Sequence, residues 1–189
     1  MKIAAVIQAA GCGSRFSEDT YKLLVPINGI PLIRHTVLHA LEADYCEIAV
    51  VLGFRADEIR EVLKDLPVTL CENPDWKQGQ SGSMICGIRA LRSDPDAIAF
   101  PLGDQPYVSG ETMIYLNRIT EMYPDLIIVP CYQGQRGNPC IFPKSVFKEL
   151  LTSSGDHGGK KVLTNHPKVR VDRNSNSILK DVDHINDLL

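Results

Sequence analysis

The sequence predicts an α/β fold with a mostly parallel sheet, on three observations. Short apolar, β-branched runs alternate with helix-length amphipathic segments along the chain. Several of those runs stop at a glycine, where a strand gives way to a loop. No repeat, low-complexity tract or long linker breaks the alternation, so the reading is a single domain over residues 1–189. Strand–helix–strand order implies parallel neighbours, right-handed crossovers and helices on both faces of the sheet.

The elements follow in order. "KIAAVIQ" is a β-branched strand that runs into the loop "AAGCGSR". "PLIRHTVLHALEA" opens at Pro31, a helix-start position, and carries an apolar stripe of Ile33, Val37 and Leu41 with Ala40 beside it. "EIAVVLG" is a buried-type strand, "RADEIREVLKDL" a helix with Ile59 and Leu63 inward, and "VTLCEN" a strand. "SGSMICGIRALRS" is a helix with Ser81 or Ser83 near its cap. "AIAFPLG" is a strand ending at Gly103-Asp104, "GETMIYLNRITEMY" a helix, and "DLIIVPCY" a strand. "NPCIF", "KSVFKELLTS", "GGKKVLT", "KVRV" and "INDLL" close the chain.

Bulk properties exclude several classes. Hydrophobic residues make up 44% and charged residues 23% of the 189 positions, a globular balance. A net charge of -3 opposes a dedicated nucleic-acid binder but leaves room for a small anionic ligand. The six cysteines contain no C-x-x-C pair, so zinc-ribbon and thioredoxin-like sites are out and a reduced, cytoplasmic protein is expected. Lys2, an apolar run and Gly11-Cys12 mimic a lipoprotein signal, but Gln8 interrupts the run and its removal would delete the first strand. No uncharged apolar run approaches the roughly 18 residues of a membrane helix, so no membrane partner is expected.

Ligands of open α/β sheets bind beyond the carboxyl ends of the strands. The loops starting at Ala9, Gly53, Glu72 and Gly103 are therefore the candidates. The first is not a dinucleotide fingerprint: Phe16 stands where G-x-G-x-x-G needs glycine, and no acidic residue ends the second strand. No G-K-[ST] follows either. What remains is a loop in which Gly11 and Gly13 permit close backbone approach, with Ser14, Arg15 and Lys22 as anion ligands. A plain βα turn with two surface cations fits the same residues equally well.

Asp104, at the end of an apolar strand, suits Mg²⁺ shared with phosphates and water, or else an ordinary turn. Gly79, Ser81, Gly82 and Ser83 run into a helix, which makes either an anion site or a plain capped start. In "DVDHINDLL", Ile185 and the missing glycine exclude an EF-hand; Asp183 is a second metal ligand or the cap of a short last helix. His35 and His39 lie four apart but lack the glutamate of H-E-x-x-H.

"IQAAGCGSRF", the lysine of "YKLLVPINGIPLIRHTV", "NPDWKQGQSGSM", "LGDQP", "RGNPCIFP", "GDHGGKKVL" and "DVDHINDL" occur in one order and spacing. With them the chain resembles the molybdenum cofactor nucleotidyltransferases, most closely the cytidylyltransferase branch, over nearly its whole length. The resemblance implies a three-layer Rossmann-like, glycosyltransferase-A type fold of the nucleotide-diphospho-sugar transferases. It implies transfer of CMP from CTP to the terminal phosphate of molybdopterin with release of pyrophosphate, an EC 2.7.7 activity that uses Mg²⁺. By match, Ala9, Ala10, Gly11, Gly13, Ser14 and Arg15 wrap the nucleotide and Lys22 binds its phosphates; Gln8, Gly79, Ser81, Ser83 and Gly103 join the nucleotide-binding set from their strand-end and helix-start positions. Arg15, Lys22 and Asp104 form the catalytic set; Asp104 and Asp183 hold the metal, with Asp181 competing for the second place. Ala10, where guanylyl-transferring relatives have glycine, points to cytidine. A molybdenum hydroxylase or its maturation chaperone is the implied protein partner.

Four features depart from the family pattern. The gap from Arg15 to Lys22 is two residues longer, Ser17 replaces a glycine, Asn138 replaces a histidine, and Lys160-Lys161 replace a small residue and an arginine. These leave the acceptor open, so a sugar phosphate or another phosphorylated acceptor remains the first rival. A non-catalytic nucleotide- or cofactor-binding module is the second; metal-dependent pyrophosphate release separates it from an enzyme.

Overall fold

The structure, a computed structural model, describes residues 1–13, 21–155, 158–184 and 187. The chain begins with strand β1 (Ile3–Ala9), a small hairpin of β2 (Pro26–Ile27) and β3 (Ile30–Pro31), and helix α1 (Leu32–Leu41). Then come β4 (Ile48–Leu52), α2 (Ala56–Leu63), β5 (Thr69–Glu72), α3 (Gln80–Ala90), β6 (Ala97–Phe100) and α4 (Gly110–Met122). The second half supplies β7 (Ile127–Tyr132), β8 (Gln135–Arg136), β9 (Cys140–Pro143), α5 (Phe147–Leu151), α6 (Gly158–Asn165) and β10 (Lys168–Asp172).

One sheet runs in the order β10-β7-β9-β6-β1-β4-β5, with β8 paired to β7. β1 is parallel to β4 and to β6, and β5 is parallel to β4. β9 is antiparallel to both of its neighbours, and β10 is parallel to β7. This is the mostly parallel α/β sheet that the alternating runs predict, with β9 and the short β8 reversed. β1 is central because it has no charged side chain to keep in water. Ala5, Ile7 and Ala9 face a layer containing Leu32, Ile33, Val37, Ile59, Leu63 and Met113, from α1, α2 and α4. Ala4 and Val6 face the opposite layer with Met84, Leu150 and Val162, from α3, α5 and α6. Full burial of an aliphatic side chain such as Ile7 stabilises by about 1.5–3 kcal/mol, so a strand with apolar faces on both sides belongs between two helical layers.

Gly79 is the residue that caps α3, and Ser81 and Ser83, near that cap, lie inside the first turns and are buried. His35 Nε2 is 2.9 Å from the Ile27 carbonyl oxygen, which ties α1 to the β2–β3 hairpin. All six cysteines are free thiols. Among the described residues no helix is long and apolar enough to cross a membrane.

Candidate active site

β1 and β6 end side by side. The Gly103 amide donates to the Gln8 carbonyl at 2.9 Å, and this bond seats the turn that presents Asp104 next to the loop following β1. Lys22 begins a 3₁₀ turn (Lys22–Leu24) and is buried. Its Nζ donates to Asp104 Oδ2 at 2.6 Å and to Asp183 Oδ1 at 3.1 Å. The aliphatic stem of Lys22 runs past Gly13, which has φ +60°; a Cβ there would lie 2.9 Å from Lys22 Cγ. Glycine at 13 thus satisfies a left-handed backbone and leaves room for the lysine.

Asp183 arrives from the far end of the chain. The Val182 amide donates to the Asp104 carbonyl at 2.9 Å, which docks that segment on the same turn. The backbone amides of Asp183 and His184 donate to Asp187 Oδ2 at 2.9 and 2.7 Å. Asp187 therefore accepts the local amides, while an oxygen of Asp183 takes the lysine. Asp181 instead accepts from Gln105 Nε2 at 2.5 Å. Burial works against the Lys22 ammonium, but the charge and hydrogen bond of Asp104, then those of Asp183, outweigh it and hold its pKa above the ordinary lysine value. Burial, followed by the Asp104 charge, pushes the Asp181 carboxyl upward.

An open cavity is lined by Gln8, Ala9, Gly11, Gly13, Lys22, Leu23 and Asp104. A second open cavity is also lined by Gln8. Its floor is apolar, with Met84, Phe100, Leu102 and Phe142, and its polar lining includes Gln80, Ser81, Arg136, Asn138 and Lys160. Phe100 and Phe142 meet edge to face at 5.5 Å. Burial pushes the thiol of Cys140, which also lines this cavity, up to about 12, so it stays protonated and inert at neutral pH.

Several site expectations shift. Ala10 turns its side chain into the apolar layer with Val6, Val51 and Met84, and its carbonyl accepts from the Phe54 amide at 3.0 Å, so it lines neither cavity. Ser83 is buried and accepts from Asn73 Nδ2 at 3.2 Å, a bond that holds α3 to the segment after β5. Ser81 lines the second cavity rather than the first. Gly79 caps α3, and Gly103 acts as the spacer that seats Asp104. Ser14 and Arg15 lie outside the described residues. Of the two adjacent lysines, Lys160 lines the second cavity. Sequence reading missed Arg136, Phe100 and Phe142 as cavity residues; the quoted "RGNPCIF" contains two of them, with no local sign of which way they face.

Asp104, which lines the Lys22 cavity, and Asp183 both reach the Lys22 ammonium, and hard carboxylate oxygens suit Mg²⁺ or Mn²⁺. Among the described residues no group of three or more His, Cys, Asp or Glu could hold such an ion. The pair fits an ion that completes its shell with phosphate oxygens and water.

Residues 5–171 match the family model of the MobA-like NTP transferase domain. The chain belongs to that family. Within it and around it, similarity is clear but distant. The chain is 26% identical to a nucleotidyl transferase from Methanothermobacter thermautotroptrophicus, with a TM-score of 0.81 over 98% of this chain and 94% of that one. It is also 26% identical to Rv0371c of Mycobacterium tuberculosis H37Rv, with a TM-score of 0.82 over 98% and 95% of the two chains. A manganese complex of Rv0371c is a further match, with a TM-score of 0.80 over 99% of this chain and 96% of that one. In sequence the chain is 32% identical to the bifunctional protein GlmU of Aquifex aeolicus over 120 residues, 62% of this chain and 25% of that protein. The MobA-like chain thus spans about a quarter of the length of the curated relatives it matches.

Proposed function

We propose that this MobA-like protein moves a nucleotidyl group, CMP from CTP, onto the phosphate of a molybdopterin-type acceptor and releases pyrophosphate. The observation that carries the reading is the side-by-side placement of two unlike cavities that share Gln8. The Lys22–Asp104 cavity, with its glycine-loop wall, suits a triphosphate. The Arg136–Lys160 cavity, with its aromatic floor, suits a flat heterocycle that carries a phosphate.

In this mechanism an oxygen of the acceptor phosphate attacks the α-phosphorus of CTP. The bond from that phosphorus to the bridging oxygen breaks, and pyrophosphate leaves with the electron pair. A phosphate monoester is already largely ionised at pH 7, so no general base is required. The protein's work is placement and charge neutralisation. Lys22 holds triphosphate oxygens and the charge that gathers on the leaving group. Gln8, at the wall between the cavities, keeps the two reactants in line. Arg136 and Lys160 orient the acceptor phosphate by charge-assisted hydrogen bonds. A magnesium ion on Asp104 and Asp183 would neutralise phosphate charge and polarise the α-phosphorus. Arg15 belongs to the proposed triphosphate ligands from its place in the glycine loop and from the family resemblance.

A second reading, transfer to a sugar phosphate, is favoured by the GlmU likeness. The test is a panel of CTP, GTP, ATP and UTP against purified molybdopterin and against sugar 1-phosphates, read by pyrophosphate release and product mass. A CMP adduct of molybdopterin supports the proposal; turnover only with a sugar phosphate replaces it, and no pyrophosphate with any pair rejects an enzyme.

A further inference from the structure

We infer that Tyr21 is a positioning residue that sets the backbone of the nucleotide loop, an inference that rests on the function proposed above. The Tyr21 hydroxyl donates to the Gly11 carbonyl at 2.8 Å, with the Ala9 carbonyl at 3.4 Å. The carbonyl between them, that of Ala10, is held at 3.0 Å by the Phe54 amide. Three successive oxygens of the loop are thus gathered by two aromatic residues from different parts of the chain. An oxygen held on that side does not turn into the cavity lined by Gly11 and Gly13, where it would repel a phosphate.

The anchor is itself rigid. The Tyr21 ring is only 3% exposed and meets Phe54 edge to face at 5.2 Å, and Phe54 meets Trp76 at 5.6 Å. The Arg55 guanidinium lies 5.9 Å from the Tyr21 ring centre. Burial, then the neighbouring Cys12 and Asp104, push the phenol well above its ordinary range, so the hydroxyl remains a donor at neutral pH. The next residue is Lys22, whose stem packs on Gly13 and whose ammonium reaches Asp104. One dipeptide therefore fixes both the loop backbone and the cation that faces it.

Tyr21→Phe keeps the ring and removes only the hydroxyl. The control is Tyr45→Phe, because the Tyr45 hydroxyl is buried, its ring packs against the Ile3–Leu116 cluster as well as the larger core, and it lines neither cavity. Nucleotide affinity is read by calorimetry, the turnover split by pyrophosphate release, and loop opening by amide hydrogen exchange of residues 9–13. In Tyr21→Phe, CTP affinity is expected to weaken about tenfold, the loss of one well-placed hydrogen bond. KM for the acceptor should stay within about twofold, and exchange should quicken in residues 9–13. Tyr45→Phe should leave CTP affinity and loop exchange unchanged. Equal CTP affinity in Tyr21→Phe and wild type overturns the inference while leaving the proposed function standing. Wild type that binds none of the four nucleotides overturns both. If Tyr21→Phe loses its fold, its melting signal reports this, and the exchange contrast is then taken on Phe54→Leu, which loosens the ring beneath the hydroxyl; unchanged loop exchange there also overturns the inference.

Discussion

Lys22 Nζ lies 2.6 Å from Asp104 Oδ2, a pairing across 82 positions of sequence. The same ammonium reaches Asp183, across 161 positions, at 3.1 Å. One cation therefore keeps two carboxylates together where a divalent ion would also sit. Replacing Lys22 with Met removes that cation and leaves two anions facing each other. Without added metal the folded state should lose about 1–3 kcal/mol, toward the lower end because both carboxylates are partly exposed. Millimolar Mg²⁺ should restore the melting temperature more in Lys22→Met than in wild type. Pyrophosphate release should fall by about 10²–10³-fold with metal present. Equal Mg²⁺ shifts in the two proteins would show that Asp104 and Asp183 do not share an ion.

Gly13→Ala tests the loop itself. The position has φ +60°, and an alanine Cβ would meet the Lys22 stem at 2.9 Å. A left-handed alanine costs about 1–2 kcal/mol, and the contact adds to it by moving the lysine. KM for the nucleotide should rise about tenfold, with acceptor KM unchanged. If both KM values rose together, Gly13 would matter to the fold as a whole and not to the nucleotide cavity.

The centre of the sheet was legible because β4 and β6 are uninterrupted apolar runs and β1 is broken only by Gln8 near its end, the mark of strands buried on both faces. The reversed direction of β9 was not, since a run such as "CIF" reads the same either way; the short β8 pairing on β7 decides it. In the site, Lys22 and Asp104 could be named from residue type and loop position. The choice of Asp183 over Asp181 as the lysine's partner could not, because it depends on how the last segment docks through Val182. Ser83 misled for a plain reason: a hydroxyl near a helix start looks the same whether it faces a ligand or, as here, bonds Asn73 inside the protein. Tyr21 gave no signal because its hydroxyl serves backbone carbonyls, which have no sequence identity.

Glu47 gives a pH prediction. Its carboxylate accepts from the amides of Arg92 at 3.0 Å and Ser93 at 2.8 Å, and so fixes the chain leaving α3 to the start of β4. Burial opposes the charge, but the amides of Ser93 and Arg92 outweigh it and lower the pKa from 4.5. A carboxylate lowered on folding contributes stability that is present above its unfolded value and is lost as pH falls through the folded one. Glu47→Gln should therefore be less stable than wild type at pH 7 by at most about 1 kcal/mol, and the gap should close as the pH falls below 4.5 through the lowered folded value. Urea midpoints at the two pH values check this; a gap that does not change with pH would mean that the charge is not what holds Arg92 and Ser93.

The second cavity separates acceptor from nucleotide. Arg136 and Lys160 line it, and neither lines the Lys22 cavity. If they hold the acceptor phosphate, Arg136→Ala and Lys160→Ala should each raise acceptor KM by about tenfold or more, the loss of a charge-assisted hydrogen bond. CTP KM should stay within about twofold. Phe142→Leu should weaken a flat heterocyclic acceptor by removing an aromatic face, and should change the affinity of a sugar phosphate much less. Steady-state kinetics with both substrates varied resolve the two KM values. An increase in CTP KM with acceptor KM unchanged would reverse the assignment of the two cavities, because the same cations would then be holding the triphosphate.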